Sequence, residues 1–220
     1  MARQHRLVMP GLPHLLSLPA LSGVHPFPNL EDRARFLALL HETSAAEGVQ
    51  VHAYALLPGE LRALATPPNG LALSRWVQAM GRRYVSAYNR QHGRSGTLWA
   101  GRFRSAAIEP GAWTLHALRF VDAGSTDTGV TSAAHRCGGQ RDVRLVDPQE
   151  YWSLGNTPFE RESGYSRLLS EPFPEAQVAR LRRCLTGGWV CGEDAYVRGL
   201  AAQGGARVSP RPRGRPARRT

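Results

Sequence analysis

Arginine is the side chain whose type and spacing point most directly to chemistry in this sequence. Between Leu61 and Ile108 the chain has eight arginines and no acidic residue, which gives +8 over 48 residues. A guanidinium group pairs with phosphate through two parallel hydrogen bonds and stacks on nucleobases, so this segment favours nucleic-acid binding. The eight arginines are Arg62, Arg75, Arg82, Arg83, Arg90, Arg94, Arg102 and Arg104.

A second acid-free basic segment covers residues 206–220 and contains six arginines. Within it, Arg213-Gly214-Arg215 is similar to an AT-hook core, an extended Arg-Gly-Arg that fits the narrow minor groove of A·T-rich DNA. The alternative is a disordered basic segment produced by GC-rich coding. We predict that residues 205–220 form a disordered basic tail, and both interpretations of its arginines stay open.

The charge is concentrated in these two segments. The chain has 220 residues, 42% of them hydrophobic, and a formal net charge of +11. The two basic segments together carry +14, so the rest of the chain is slightly acidic. All 28 cations are arginine, which GC-biased coding would also produce, so the placement of the cations is more informative than their type.

Other site chemistries are weakly indicated. The three cysteines, which lack Cys-x-x-Cys spacing, predict neither a disulfide framework nor a cysteine-rich zinc site, so we expect a reducing, cytoplasmic location. His135 and Cys137 form an isolated His-x-Cys pair, and we expect no metal there. Prolines interrupt the first apolar stretch, and no run is long enough to span a membrane, so we expect no signal peptide and no membrane anchor.

The hydrophobic pattern predicts an α+β domain over residues 1–130. Its elements alternate in the order strand, helix, strand, strand, helix, strand, helix, which is typical of a ferredoxin-like antiparallel sheet with helices on one face. The predicted strands are 13–21, 49–57, 61–65 and 96–108; the predicted helices run from the cap at Asn29 to about Gly48, from Ser74 to about Gly93, and over 111–123.

The remaining chain divides into a loop or linker at 131–150 and a helical C-terminal extension at 151–204. The capping box Thr157-Pro158-Phe159-Glu160 predicts a helix that continues to about Ser170. Two shorter helices are predicted at 174–185 and 193–202, on either side of a glycine pair.

The second predicted helix has one aromatic face and one arginine face. Tyr84 and Tyr88 fall on the apolar side, and we expect the aromatic residues as a group to pack in the core. Among them, Trp99 and Phe103 flank Arg102 on a predicted strand and are the best candidates for stacking on bases.

Several motifs along the chain resemble the REP-associated tyrosine transposases, which belong to the HUH superfamily of single-strand DNA nucleases. The matching segments are RLVMPGLPH at 6–14, HAYALLP at 52–58, LSRWVQ at 73–78, GRRY at 81–84, YNRQHGR at 88–94, GTLWAGRFR at 96–104 and YWSLG at 151–155. The resemblance implies a protein that cuts and rejoins single-stranded DNA at hairpins. In that family two histidines hold Mg²⁺ or Mn²⁺ on the phosphate, and a tyrosine on a helix attacks it.

The sequence departs from the family at the positions that would carry this chemistry. Glu60 and Arg62 stand where the family has His-x-His, Phe120 replaces the tyrosine, and Gly124 replaces an asparagine ligand. Because Phe120 has no oxygen to attack phosphorus, we expect no catalytic residue, no metal ligand and no cofactor in this chain. A Glu60–Arg62 ion pair, contributing about 0–1 kcal/mol on an exposed hairpin, is the simpler interpretation of those two residues.

These observations favour a transposase-like protein that binds hairpin or single-stranded DNA without cleaving it. The alternatives are an active transposase with relocated chemistry, a non-DNA interaction module or RNA binder, or the product of a decaying gene. We do not expect Tyr84 or Tyr88 to replace the missing nucleophile. The candidate DNA-binding residues are Arg75, Arg82, Arg83, Arg90, Arg94, Trp99, Arg102, Phe103, Arg104, Arg213 and Arg215.

Overall fold

A five-stranded antiparallel sheet lies at the centre of the computed structural model, which describes residues 6–124, 129–203 and 208–210. The strand order is β4-β1-β3-β2-β5, and every pairing is antiparallel. The predicted α+β fold is therefore confirmed. The strands are β1 (His14–Pro19), β2 (Gln50–Leu57), β3 (Glu60–Thr66), β4 (Arg104–Ala107) and β5 (Val130–Thr131).

Two helices begin where their capping residues predict, whereas the second helix begins at Ala72 rather than at the predicted Ser74. Asn29 Oδ1 accepts a hydrogen bond from the Asp32 backbone N–H at 2.9 Å, and Thr157 and Glu160 form both halves of the capping box. The described helices are α1 (Leu30–Ala46), α2 (Ala72–Gln91), α3 (Ala112–Asp122), a 3-10 turn (Ser132–His135), α4 (Gln149–Trp152), α5 (Pro158–Ser170), α6 (Glu175–Gly187) and α7 (Asp194–Ala202). None of them is long and apolar enough to cross a membrane.

Helices cover both faces of the sheet, so the prediction of helices on one face is wrong. Neighbouring residues of a strand point to opposite faces, and in β1 both kinds of position are apolar. Leu16 packs in the core formed with α1 and α2, whereas Leu15 packs in a second core formed with α3, α5 and α6. A strand that is apolar at consecutive positions needs cover on both sides.

The predicted strand at 96–108 is also corrected, because only Arg104–Ala107 pairs along its length with β1. Residues 96–103 form a loop that touches the sheet through one bridge between Ala20 and Trp99. Gly96 and Gly101 have φ angles of +84° and +150°, which extended strands do not adopt. The loop folds back over α2 as a result and lines a groove described below.

The loop at residues 131–150 is anchored to the core by a buried arginine. Arg136 in this segment is fully buried, pairs with Asp147 at 2.9 Å and with Asp122 at 3.6 Å, and donates to the His52 carbonyl. The Asp122 carboxylate also accepts hydrogen bonds at 2.7 Å from Tyr165 and from Ser132. This network joins α3, α5 and the 131–150 segment beneath the sheet.

Replacing Arg136 with Met is expected to lower the free energy of unfolding by about 3–5 kcal/mol, because two buried carboxylates lose their cation. The matched control is Arg141→Met, since Arg141 lies in the same segment but is exposed. Urea denaturation at neutral pH measures both variants. Equal stability of the two variants would show that the Arg136 network does not hold this segment in place.

Candidate nucleic-acid interface

The four positions at which the sequence departs from the resembled family come together on the face of the sheet that α3 covers. Glu60 and Arg62 are two residues apart on β3 and therefore point to the same face. The Arg62 guanidinium lies 4.9 Å from the centroid of the Phe120 ring on α3. A Cβ atom at Gly124, just beyond α3, would lie 3.4 Å from Arg62 Nη1. Arg62 thus lies beside the Phe120 ring and close to Gly124.

The predicted ion pair between Glu60 and Arg62 is confirmed. Arg62 Nε donates to Glu60 Oε2 at 2.8 Å, and the two side chains are only about one fifth exposed. The second carboxylate oxygen, Oε1, accepts a hydrogen bond from the Ser17 hydroxyl. Ser17 lies on β1 directly opposite Arg62, a neighbour that strand register determines and that sequence spacing did not reveal.

These residues do not fit the divalent metal that the resemblance implies. Both oxygens of Glu60 are already used by side chains of the chain itself, and the Arg62 cation lies where a metal would need a ligand. Gly124 offers no side chain. Among the residues that the structure describes, no group of three or more His, Cys, Asp or Glu side chains could hold a metal ion.

Two tyrosines considered as substitute nucleophiles are core residues. The Tyr84 hydroxyl donates to the Pro26 carbonyl, and the Tyr88 hydroxyl donates to the His25 carbonyl at 3.1 Å. Burial raises the pKa of Tyr84 far above its ordinary value, which disfavours the phenolate form. Both rings pack in the core beside α1, as predicted for the aromatic group.

Two arginines of the predicted binding surface are already paired with acidic residues, one on α1 and one at its C-cap. Arg83 donates two hydrogen bonds to the Glu42 carboxylate at 2.8 and 2.9 Å, and these bonds lower the pKa of Glu42. Arg75 lies 4.0 Å from Glu47. Both carboxylates come from outside the acid-free sequence window, so a segment without acids in sequence still has acidic neighbours in space.

The other arginines of the basic segment on α2 and beyond are exposed, and none has an acidic partner within 4.0 Å among the described residues. They do not form one surface. Arg104 stands opposite Ser17 in the β4–β1 pairing and shares the α3-covered face with Arg62. Within this segment, the exposed arginines without an acidic partner among the described residues are Arg82, Arg90, Arg94, Arg102 and Arg104.

Arg82 and Arg102 both line a groove between α2 and the 97–103 loop, which we call the α2 groove. Its volume is about 640 Å³, and its lining includes Val77, Val85 and Trp99. Arg6, which the sequence interpretation did not single out, also lines it: its guanidinium lies 3.7 Å from the centroid of the Phe103 ring and donates to the Phe103 carbonyl at 3.0 Å.

Trp99 and Phe103 are core residues, which corrects their assignment as base-stacking platforms. Their side chains are only 8% and 7% exposed, and both belong to the core beneath α1 and α2. The Phe103 ring is covered further by Arg6. The glycines that turn the 96–103 loop bring the two rings inward, and the local sequence pattern of a strand did not indicate that turn. Arg213 and Arg215 lie outside the described residues.

A double-mutant cycle of Glu60→Gln and Arg62→Met measures how strongly this pair stabilises the fold. We expect a coupling of about 1 kcal/mol in the free energy of unfolding, at the upper end for ion pairs because the pair is mostly buried. Glu60→Gln combined with Arg104→Met serves as the control, since Arg104 lies on the same face without a carboxylate partner. Additive effects for the Glu60 and Arg62 variants would contradict the pairing.

Comparison with known proteins returned no matching family model and no matching curated protein. Solved structures that are similar to the chain include two transposases. The first is a REP-associated tyrosine transposase bound to a REP hairpin, with 15% sequence identity, a TM-score of 0.46, and coverage of 55% of this chain and 70% of the other. The second is a candidate transposase from Deinococcus radiodurans R1, with 19% identity, a TM-score of 0.37, and coverage of 50% of this chain and 88% of the other.

Proposed function

We propose that this protein binds hairpin or single-stranded DNA and does not cleave it. The observation that carries the proposal is the cluster around Arg62. The positions where the resemblance implies a metal and a nucleophile are neighbours in space, and they are occupied by an ion pair and a phenyl ring. This cluster lacks the two histidines and the tyrosine to which the resemblance assigns metal binding and attack on phosphorus.

DNA binding does not require the two histidines and the tyrosine that Glu60, Arg62 and Phe120 replace. Phosphate contacts depend on cations that are exposed and not already neutralised, and five arginines of the basic segment at 61–108 meet both conditions. Arg82 and Arg102 stand at the α2 groove, where a strand could contact both. The sequence motifs that resemble the transposase family cover this same region, from α2 to β4.

Salt dependence tests the binding half of the proposal. In fluorescence-anisotropy titrations we expect the affinity for hairpin and single-stranded DNA to fall as salt rises, with a slope of about −0.7 per phosphate contact on single strands. The combined Arg82→Gln and Arg102→Gln variant should have a shallower slope than the wild type. Arg75→Gln with Arg83→Gln is the matched control, because it removes the same charge from residues already paired with acidic residues.

Three outcomes of these titrations would contradict the proposal. Absence of binding at low salt would exclude a DNA-binding role, and an affinity independent of salt would exclude binding through phosphate. Equal slopes for the two double variants would mean that Arg82 and Arg102 do not contact the DNA. A matching RNA hairpin in the same titration tests the RNA-binding alternative, which tighter binding to RNA would favour.

Incubation with a REP hairpin tests the proposal that the protein does not cleave DNA. We expect no covalent protein–DNA adduct on a denaturing gel in the presence of Mg²⁺ or Mn²⁺, because Phe120 has no nucleophilic oxygen. The REP hairpin is the appropriate probe, since the similar transposase structure holds one. An adduct would contradict the proposal and favour relocated chemistry, and its loss in a single Tyr→Phe variant would identify the nucleophile.

A further inference from the structure

The α2 groove has the size and lining of a ligand site. Its volume of about 640 Å³ falls within the roughly 300–1,000 Å³ that is usual for small-ligand pockets. The wall on the α2 side includes Val77, Gly81 and Val85, and the opposite wall comes from the 97–103 loop. One part of the groove is therefore apolar and suits a flat uncharged group.

Cations stand beside this apolar part. Arg82 on α2 and Arg102 on the loop both line the groove, are exposed, and have no acidic partner among the described residues. An occupant that complements this arrangement has an apolar, planar portion and anionic groups next to it. A nucleotide of single-stranded DNA has this composition, with a base between two phosphates.

The buried indole of Trp99 adds a specific donor. Trp99 lines the groove, and its Nε1–H is buried without a hydrogen-bond acceptor among the described residues. A buried donor without a partner is costly, so a ligand that supplies an acceptor would gain affinity. Every nucleobase has ring nitrogens or carbonyl oxygens that can accept such a bond.

Gly81 stands next to this donor in the middle of α2. A Cβ atom at position 81 would lie 3.7 Å from Trp99 Nε1, which is an ordinary contact, so packing does not require glycine here. Glycine is unfavourable in a helix interior, and a methyl group at this position would cover the indole nitrogen from the helix side. Gly81 thus makes α2 less stable than alanine would, and it leaves the space beside Trp99 Nε1 open.

We infer that the α2 groove binds one unpaired nucleotide of single-stranded DNA, with its base between Gly81 and the 97–103 loop and its phosphates on Arg82 and Arg102. The base accepts a hydrogen bond from Trp99 Nε1–H once small movements expose that donor. A base inside a duplex is stacked and paired, so only an unpaired segment can supply the occupant. This inference rests on the proposed DNA binding and adds a location and a ligand class to it.

Three DNA hairpins test the inference by anisotropy titration: a hairpin with a blunt stem, the same hairpin with an unpaired extension, and a third whose extension has abasic nucleotides. The wild-type full chain should bind the intact extension at least about fivefold more tightly than the abasic one, because the abasic extension loses both the contact of the base with the apolar wall and its hydrogen bond. Gly81→Ala should abolish that difference. The matched control, Gly199→Ala on α7, places a Cβ in open space away from the groove and should retain it.

Thermal unfolding checks that both variants are folded. Because each substitution replaces a helical glycine with alanine, the unfolding midpoint should stay the same or rise. Equal binding of the intact and abasic extensions by the wild type would overturn the inference while leaving the proposed function standing. A Gly81→Ala variant that is folded and keeps the fivefold difference would also overturn it. Failure of the wild type to bind any of the three hairpins would overturn both the inference and the proposed function.

Discussion

The contact of the Arg62 guanidinium with Glu60 and Phe120 is the interaction on which the functional interpretation depends. It connects β3 to α3 and neutralises a carboxylate that would otherwise be half-buried with only a serine partner. These residues occupy the positions at which the sequence resemblance implies a metal ligand and a nucleophile. The four residues present are compatible with one another, and Gly124 leaves room for the Arg62 side chain.

The arginines of the basic segment have three different environments in the fold. Arg75 pairs with Glu47 at the C-cap of α1, and Arg83 pairs with Glu42 on α1. These ion pairs neutralise part of the positive charge of α2. Arg82 and Arg102 line a groove with an apolar wall, and both are exposed and have no acidic partner among the described residues. Arg104 belongs to the opposite face of the sheet, in one row with Ser17 and Arg62.

Local sequence signals predicted the elements well, and non-local contacts account for what they missed. The caps at Asn29 and Thr157 and the hairpin around Pro58 depend on neighbours within a few residues, and all are present. The Glu60–Arg62 pair was predictable because the partners are two positions apart. Ser17 as a partner of Glu60, the burial of Trp99, and the Arg136 network that holds residues 131–150 in the core all involve residues far apart in sequence. A pattern of turn residues cannot distinguish a linker from a loop that a buried arginine fixes in place.

A crystal structure of the protein with a REP hairpin and Mn²⁺ tests the central claim most directly. We expect Arg62 to keep its contacts with Glu60 and Phe120, no Mn²⁺ at Glu60, and DNA phosphates beside Arg82 and Arg102. A Mn²⁺ ion bridging Glu60 and a DNA phosphate, with Arg62 displaced from the Phe120 ring, would contradict it.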